Sequence, residues 1–308
     1  MMAKSKKILL IDGNSLFHRA YHALPPITDK SGETANAVFG FSNMLLKAID
    51  EVKPDYIACA FDTAAPTFRH VEFEKYKAQR AEPPEDLYPQ LPKLKSALKA
   101  FGISFYEKEG YEADDILATI ATKGHKAKHK VTILSGDRDV LQLVNGDIKV
   151  QMPGWNLKET SLYGAREVKK KFGITPAQMV DYKSLMGDAS DNIPGIAGVG
   201  PKTASNLLIR YRTLENLFKH LDEIEGAVKG KLEAGKDDAL KAKELVELDR
   251  KVDIKYKLDD LRFDPDWDEV RAEYKRLGFK SIVAKISGGD AEEEKVAKKD
   301  SKSQLELV

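Results

Sequence analysis

Apolar and polar positions in the first half of the chain alternate between two periods. Residues 7–14, KILLIDGN, form a short apolar run that stops at an acidic turn, the pattern of a buried strand. Residues 35–52 put Val38, Phe41, Leu45, Ala48 and Val52 on one helical face, and Lys53-Pro54-Asp55 ends that helix. YIACAFD (56–62), ISFYE (103–107) and VTILSGD (131–137) read as three more buried strands. Between them, 86–101 carries Leu87, Leu91, Leu94, Leu98 and Phe101 at helical spacing, stopped by Gly102, and 113–124 is also helical. Apolar strands spaced by amphipathic helices predict an α/β domain around a mainly parallel sheet.

After about residue 160 helices follow one another, over 164–172, 175–186, 201–211, 213–220, 237–250 and 266–277, with only short strand-like pieces between them. No internal repeat is visible. The last 21 residues hold ten charged side chains and few large apolar ones, the composition of a flexible tail or linker. The expected organisation is an α/β core over 1–160, a helical region over 161–287 and a tail over 288–308.

Composition narrows the class. At 42% apolar residues the chain is not disordered as a whole, and one cysteine, Cys59, excludes an intrachain disulfide framework or a Cys-rich zinc site. No stretch reaches 18 apolar residues, and the apolar run after MMAKSKK is too short for a signal peptide, so a soluble cytoplasmic protein is expected. A net charge of +1, from 50 basic and 49 acidic residues, argues as a bare sum against a nucleic-acid binder.

The distribution of carboxylates changes that picture. In an open parallel sheet, ligands bind beyond the carboxyl ends of the strands. Asp12 closes the first predicted strand, Asp62 the second and Asp137 the fourth, with Asp139 two residues on. Glu112, Asp114 and Asp115 open the helix after the third strand, and Asp188 and Asp191 lie in the loop MGDASDNIPG. Any one of these could be a helix N-cap or a first-turn acid suited to the helix dipole. Together they would repel one another strongly without cations, and oxygen-only ligands suit Mg²⁺ or Mn²⁺. His18 and His22 share a helical face, but HRAYH lacks the glutamate of HExxH and no third N or S ligand accompanies it. They read as surface or groove lining. Gly198-Val199-Gly200 lies between helices and not after a strand, so it is no dinucleotide fingerprint.

The ordered set IDGNSLFHRAYHAL (11–24), FD (61–62), FRHVEFEKYKAQR (68–80), EADD (112–115), SGDRD (135–139) and GDASDNIPGIAGVGPKTA (187–204) resembles the flap endonuclease family of structure-specific 5′ nucleases. Within that family the chain is most similar to the N-terminal 5′→3′ exonuclease domain of bacterial polymerase I enzymes, over about residues 6–286. The resemblance implies a PIN-like nuclease core, a helical arch over about 68–100 and a helix–three-turn–helix over about 184–211. It implies two divalent ions, Mg²⁺ or Mn²⁺: one on Asp12, Asp62, Glu112 and Asp114, the other on Asp115, Asp137, Asp139, Asp188 and Asp191. The implied reaction is phosphodiester hydrolysis near 5′ ends and junctions of branched or 5′-ended duplex DNA and RNA–DNA, in primer removal and repair. A monomer acting at the nucleoid, with a polymerase in cis or in trans, is expected.

The resemblance also implies contacts to DNA. Lys77 and Arg80 would reach the scissile phosphate from the arch, with Tyr76 stacking or packing nearby and Arg19 and Tyr21 forming a wall. Their three-residue spacing puts Lys77 and Arg80 on one face if the segment is helical, and Pro83-Pro84 predicts that it orders on substrate. In GVGPKT, the glycines Gly198 and Gly200 allow positive φ and close backbone approach; Val199, Lys202 and Thr203 complete a phosphate-binding turn before a helix N-terminus. The resemblance adds a K⁺ held by turn carbonyls. Setting the nine carboxylates aside turns +1 into +10, and discounting the tail's net −2 leaves the body near +12, enough to hold several phosphates. A duplex-binding module that has lost hydrolysis is the alternative from another class; an RNA-cutting toxin-type nuclease or a metal phosphatase is disfavoured by the long helical region with its GVG turn.

Overall fold

The computed structural model describes residues 5–286 apart from 155 and 158, and the expected tail, 288–308, lies outside the described residues. Strand β1 (Lys7–Asp12) runs directly into helix α1 (Gly13–Ala23), followed by α2 (Asn36–Val52), β2 (Tyr56–Ala60), α3 (Phe68–Glu72), α4 (Leu91–Ala100), β3 (Ser104–Tyr106), α5 (Ala113–Lys126) and β4 (Lys130–Leu134). Strands β5 (Ile148–Pro153) and β6 (Thr160–Tyr163) complete a sheet of order β3-β2-β1-β4-β5-β6, in which only β6 is antiparallel to its neighbour. The helical region holds α6 (Ala165–Phe172), α7 (Met179–Met186), α8 (Pro201–Tyr211), α9 (Leu214–Lys219), α10 (Ala227–Ala234), α11 (Lys236–Val246), α12 (Trp267–Leu277) and α13 (Lys280–Ile286).

The apolar runs become strands because both faces of the sheet are covered. Leu9 and Ile11 pack with Phe41, Ile57 and Leu98 on one face, whereas Ile8 and Leu10 pack with Ala58, Ile116 and Ile133 on the other. A strand buried on both sides shows no polar alternation. Helix α2 ends where Lys53 takes a left-handed conformation (φ 49°) and its N–H bonds the Ile49 carbonyl. Strand register decides where the loops emerge. Asp12 pairs with Ala60 and Ile11 with Leu134, so β1, β2 and β4 finish level and their outgoing loops open on one rim.

Several elements differ from the expectation. The turn expected after β1 is the N-terminus of α1, and the strands expected to run to 62 and 137 stop at Ala60 and Leu134. Strand β5 alternates Ile148, Val150 and Met152 with Lys149 and Gln151, a period-two signal unlike the continuous apolar runs of β1, β2 and β4, and β6 is a short edge strand. Helices α10 and α13 bury one side chain each, Leu232 and Ile282, which leaves no period to read. The helix expected over 237–250 ends at Val246 because side chains take over the next backbone N–H groups. Gln142 accepts from Leu248, Asp115 from Asp249 and Thr119 from Val252. Residues 86–101 are a 3₁₀ turn at Tyr88–Gln90 followed by α4.

Candidate active site

The level ends of β1, β2 and β4 and the start of α5 place Asp12, Asp62, Glu112, Asp114 and Asp137 on one rim of a cavity of about 690 Å³, which Glu82 lines from another segment. Asp12 does cap α1, accepting from the Ser15 N–H at 2.9 Å, and its second oxygen accepts from Ser135 Oγ at 2.5 Å. Asp62 accepts the Ala113 N–H at 2.7 Å, which ties the loop after β2 to the start of α5. Asp137 accepts the Asp139 N–H at 2.8 Å. Beside this group, Asp139, Asp188 and Asp191 each offer an oxygen within 4.8 Å of the others. Tyr76 joins the two sets, its hydroxyl lying 3.1 Å from both Glu112 Oε2 and Asp191 Oδ2.

Crowding and burial both work against ionisation of these groups. Burial, reinforced by Asp62 and Asp137, pushes the Asp12 carboxyl up to about 7. Burial, then Asp12, Asp137, Asp62 and Glu112, drives Asp114 well above the carboxylate range. Asp62 and Asp137 are raised by burial as well. In the neighbouring set, burial would raise Asp188, but Lys183 at 2.5 Å and Ser190 outweigh it and hold that carboxyl low. Lys183 also pairs with Asp139.

The loop carrying Asp188 and Asp191 is pinched shut by two glycines back to back. Gly187 has φ +77°, and a Cβ on Gly195 would lie 2.1 Å from the Gly187 nitrogen, so a side chain at either position would force the loop open. The Asp188–Ile193 bridge closes the same loop.

The segment 73–80 crosses the acidic rim as a strap. Lys77 Nζ lies 2.6 Å from Glu112 Oε1, and Arg80 Nη2 lies 2.7 Å from Asp191 Oδ1. The helix expected there is confined to α3, and the strap continues in turns, with Lys77 at φ 54° and its N–H on the Asp191 carbonyl at 2.9 Å. Lys77 and Arg80 therefore converge through a turn and not along a helical face. Two contacts to the 188–192 loop hold the strap in this shape: Asn192 Nδ2 bonds the Lys75 carbonyl at 2.7 Å, and Gln79 bonds that of Ala189. Tyr76 is buried with Val180, Ile193 and Leu245, so its ring is packed and not presented for stacking.

Asp115 departs from the expectation. It is fully buried, and both of its oxygens are taken by Arg69 at 2.7 and 2.9 Å and by the N–H groups of Glu112 and Asp249. It faces away from the cavity that Asp114 lines. Asp137, expected beside Asp139, lines the cavity with the first four acids. Arg19 lines the cavity too, but Tyr21 does not; its hydroxyl bonds Asp86, six residues beyond the strap, at 2.5 Å. Asn14, Ser15 and Tyr88 also line the cavity, although the sequence reading does not single them out, and Lys183 joins the acidic triad in the same way. Nearness to Asp12 or Asp188 in the sequence could flag Asn14, Ser15 and Lys183, and no such neighbour flags Tyr88. His18 and His22 line it as groove residues, with His18 Nε2 3.3 Å from the Tyr88 hydroxyl.

In the GVG turn only Gly198 takes positive φ (+75°), and Lys231 Nζ caps its carbonyl at 3.2 Å. Gly200 sits at φ −94° as the N-cap of α8, with Pro201 in its first turn and open space where a Cβ would be. Val199 is buried, Lys202 is exposed and Thr203 is half-buried at the start of α8.

These residues fit hard divalent cations. Asp114 keeps a buried Oδ1 without a hydrogen-bond partner, the triad gathers three carboxylate oxygens, and the donors are oxygens. A parallel-sheet core here carries an acid-lined cavity with cations on a strap above it, an arrangement able to hold divalent ions and a phosphate together. Residues 7–173 match the family model described as 5′-3′ exonuclease, N-terminal resolvase-like domain, and residues 174–269 match 5′-3′ exonuclease, C-terminal SAM fold. The chain belongs to the 5′-3′ exonuclease family. It is 41% identical over 292 residues to DNA polymerase I of Bacillus caldotenax and 40% identical over 295 residues to DNA polymerase I of Bacillus subtilis. Those matches cover 94% and 95% of this chain but 33% and 34% of the relatives, so the chain spans about a third of their length. Its fold is similar to a bacteriophage T5 flap endonuclease solved as a pseudo-enzyme-product complex with DNA and metal ions (TM-score 0.64, 18% identity, 93% of this chain and 98% of that one).

Proposed function

We propose that the chain is a structure-specific 5′ nuclease that uses two Mg²⁺ ions, replaceable by Mn²⁺, to hydrolyse phosphodiesters near 5′ ends and single-strand/duplex junctions of DNA or RNA–DNA. The observation that carries this reading is the cavity itself: five acids on one rim, with Lys77 and Arg80 held over them. Asp12, Asp62, Glu112, Asp114 and Asp137 would hold one ion, and Asp139, Asp188 and Asp191 the other. When bound, such ions supply a nucleophilic hydroxide and neutralise charge on the leaving oxygen.

The chain's own residues do the rest. Lys77 and Arg80 leave Glu112 and Asp191 to meet the phosphate, where fixed cations stabilise negative charge in the transition state. The Gly200–Pro201 turn offers free N–H groups at the start of α8 to the duplex backbone, which fixes position without reading sequence. The similarity to DNA polymerase I supports a role beside a polymerase, in cis or in trans, in removing primers and flaps.

A labelled 5′-flap substrate, a blunt duplex and a single strand, each incubated with Mg²⁺ or with EDTA, test the reading. Cuts near the 5′ end or junction that require metal are expected. Duplex binding without cleavage would mean that the chain is a binding module, and cleavage of RNA alone would point to another nuclease class.

A further inference from the structure

The pair Arg69–Asp115 is buried to 1% and 0% exposure, yet it lies one helical turn from the acidic rim. Its polar atoms are fully engaged. Arg69 Nε donates to the Leu245 carbonyl at 2.7 Å, and Nη2 to that of Glu247 at 3.0 Å. Both terminal nitrogens grip Asp115, and Nη1 stands 3.5 Å from Glu112 Oε2. Asp115 in turn accepts the N–H groups of Glu112 at 3.1 Å and Asp249 at 2.8 Å. Three segments meet here: α3 at the base of the strap, the start of α5 that carries Glu112 and Asp114, and the turn after α11.

An apolar pair of similar volume would stabilise such a site as well or better, so stability alone does not account for an ion pair there. What the pair does supply is direction. A bidentate arginine fork fixes both distance and plane. We propose that Arg69 and Asp115 are positioning residues, which orient Glu112 and the strap toward the metal site while Asp115 ligates no ion. This rests on the nuclease reading proposed for the same cavity.

The test is a double-mutant cycle on the whole chain with Arg69→Lys, Asp115→Asn and both, titrated calorimetrically with Mn²⁺ alone, without DNA. Asp115→Asn should take up as many ions as the parent. Each single variant should bind them about tenfold more weakly, the size typical of an orienting partner, and the double variant no more weakly than the weaker single one. In cleavage, kcat of Arg69→Lys should fall and recover at high Mg²⁺, with KM for duplex unchanged. Loss of one ion by Asp115→Asn alone would make Asp115 a ligand and overturn the proposal, as would two variants that titrate like the parent.

If the variants do not fold, hydrogen exchange of the parent decides. The Glu112 and Asp249 amides should stay protected when Mg²⁺ is added; faster exchange would show Asp115 leaving for the ion. A parent that binds Mn²⁺ but cuts no nucleic acid would refute the nuclease reading, while the binding cycle would still be readable.

Discussion

The acidic rim and the GVG turn, the two places proposed to meet phosphate, are built by opposite means. The rim gathers carboxylates that burial and repulsion push toward protonation, so its charge state depends on cations from outside. The turn contains no acid and leaves open space above Gly200, so its offer of backbone N–H groups depends on nothing but its own geometry. Chemistry and grip should therefore respond to different perturbations. A change at the rim should alter cleavage, metal binding and pH response, and a change at the turn should alter duplex affinity alone.

The largest separation is expected at Asp114. Asp114→Ala should lower metal-dependent cleavage on the order of 10³-fold while leaving duplex affinity in EDTA unchanged. Removing a buried, repelled carboxyl should also raise the melting temperature without metal, by about a few degrees. A folded variant that turns over like the parent, or that melts lower in EDTA, would contradict the rim as described. Next comes Lys77→Ala, measured in single turnover, with a loss on the order of 10²-fold, the scale of one electrostatic donor. Its duplex affinity should change by no more than about threefold, because one phosphate contact is a small part of the total. Equal losses of rate and affinity would make Lys77 an ordinary backbone contact.

The same contrast explains what can be read from the sequence. Asp12, Asp62 and Asp137 are legible because strands buried on both faces mark their own ends and parallel register makes those ends level, and Asp114 because it stands in the first turn of the helix after the third strand. The turn at 198–200 is legible because its glycines stand before a proline and a helix. Asp115 misleads because EADD gives no sign that one of its acids turns inward; that is decided by Arg69, whose partners at the end of α11 and just after it are distant in sequence. The strap misleads in the same way. Its shape comes from the 188–192 loop, and no local period encodes a contact with a segment about 110 residues away. Strands β5 and β6 lack a continuous apolar run: β5 signals only by alternation, Ile148, Val150 and Met152 against Lys149 and Gln151, and β6 is a short edge strand.

A smaller effect on the rim is its pH response. The folded value of Asp12, about 7, lies above its ordinary 3.8. A raised carboxyl adds stability that is full below about pH 4 and is lost as pH rises through about 7. The melting temperature in EDTA should accordingly fall between pH 5 and 8. Divalent-metal affinity should run the other way, rising up to about tenfold per pH unit below 7 for each proton displaced and levelling above it. Affinity for Mn²⁺ that is flat from pH 5.5 to 8 would show that no rim carboxyl must give up a proton.

The smallest change sharpens the comparison most. Gly200 has ordinary φ, and a Cβ there meets no protein atom within 4 Å, so Gly200→Val should leave the melting temperature and Mn²⁺ binding as in the parent. What a valine would occupy is the open space through which, on the proposed reading, a phosphate would reach the start of α8. Duplex affinity should therefore fall several-fold, on the order expected for one lost backbone contact, and the dependence of log K on log salt should flatten by about 1. Gly198 is the contrasting position. Its φ of +75° and a Cβ 2.7 Å from Lys231 Nζ mean that Gly198→Val would distort the turn itself and lower stability together with affinity. If Gly200→Val binds duplex as tightly as the parent at every salt concentration, the turn is an ordinary helix connection and the duplex is gripped elsewhere.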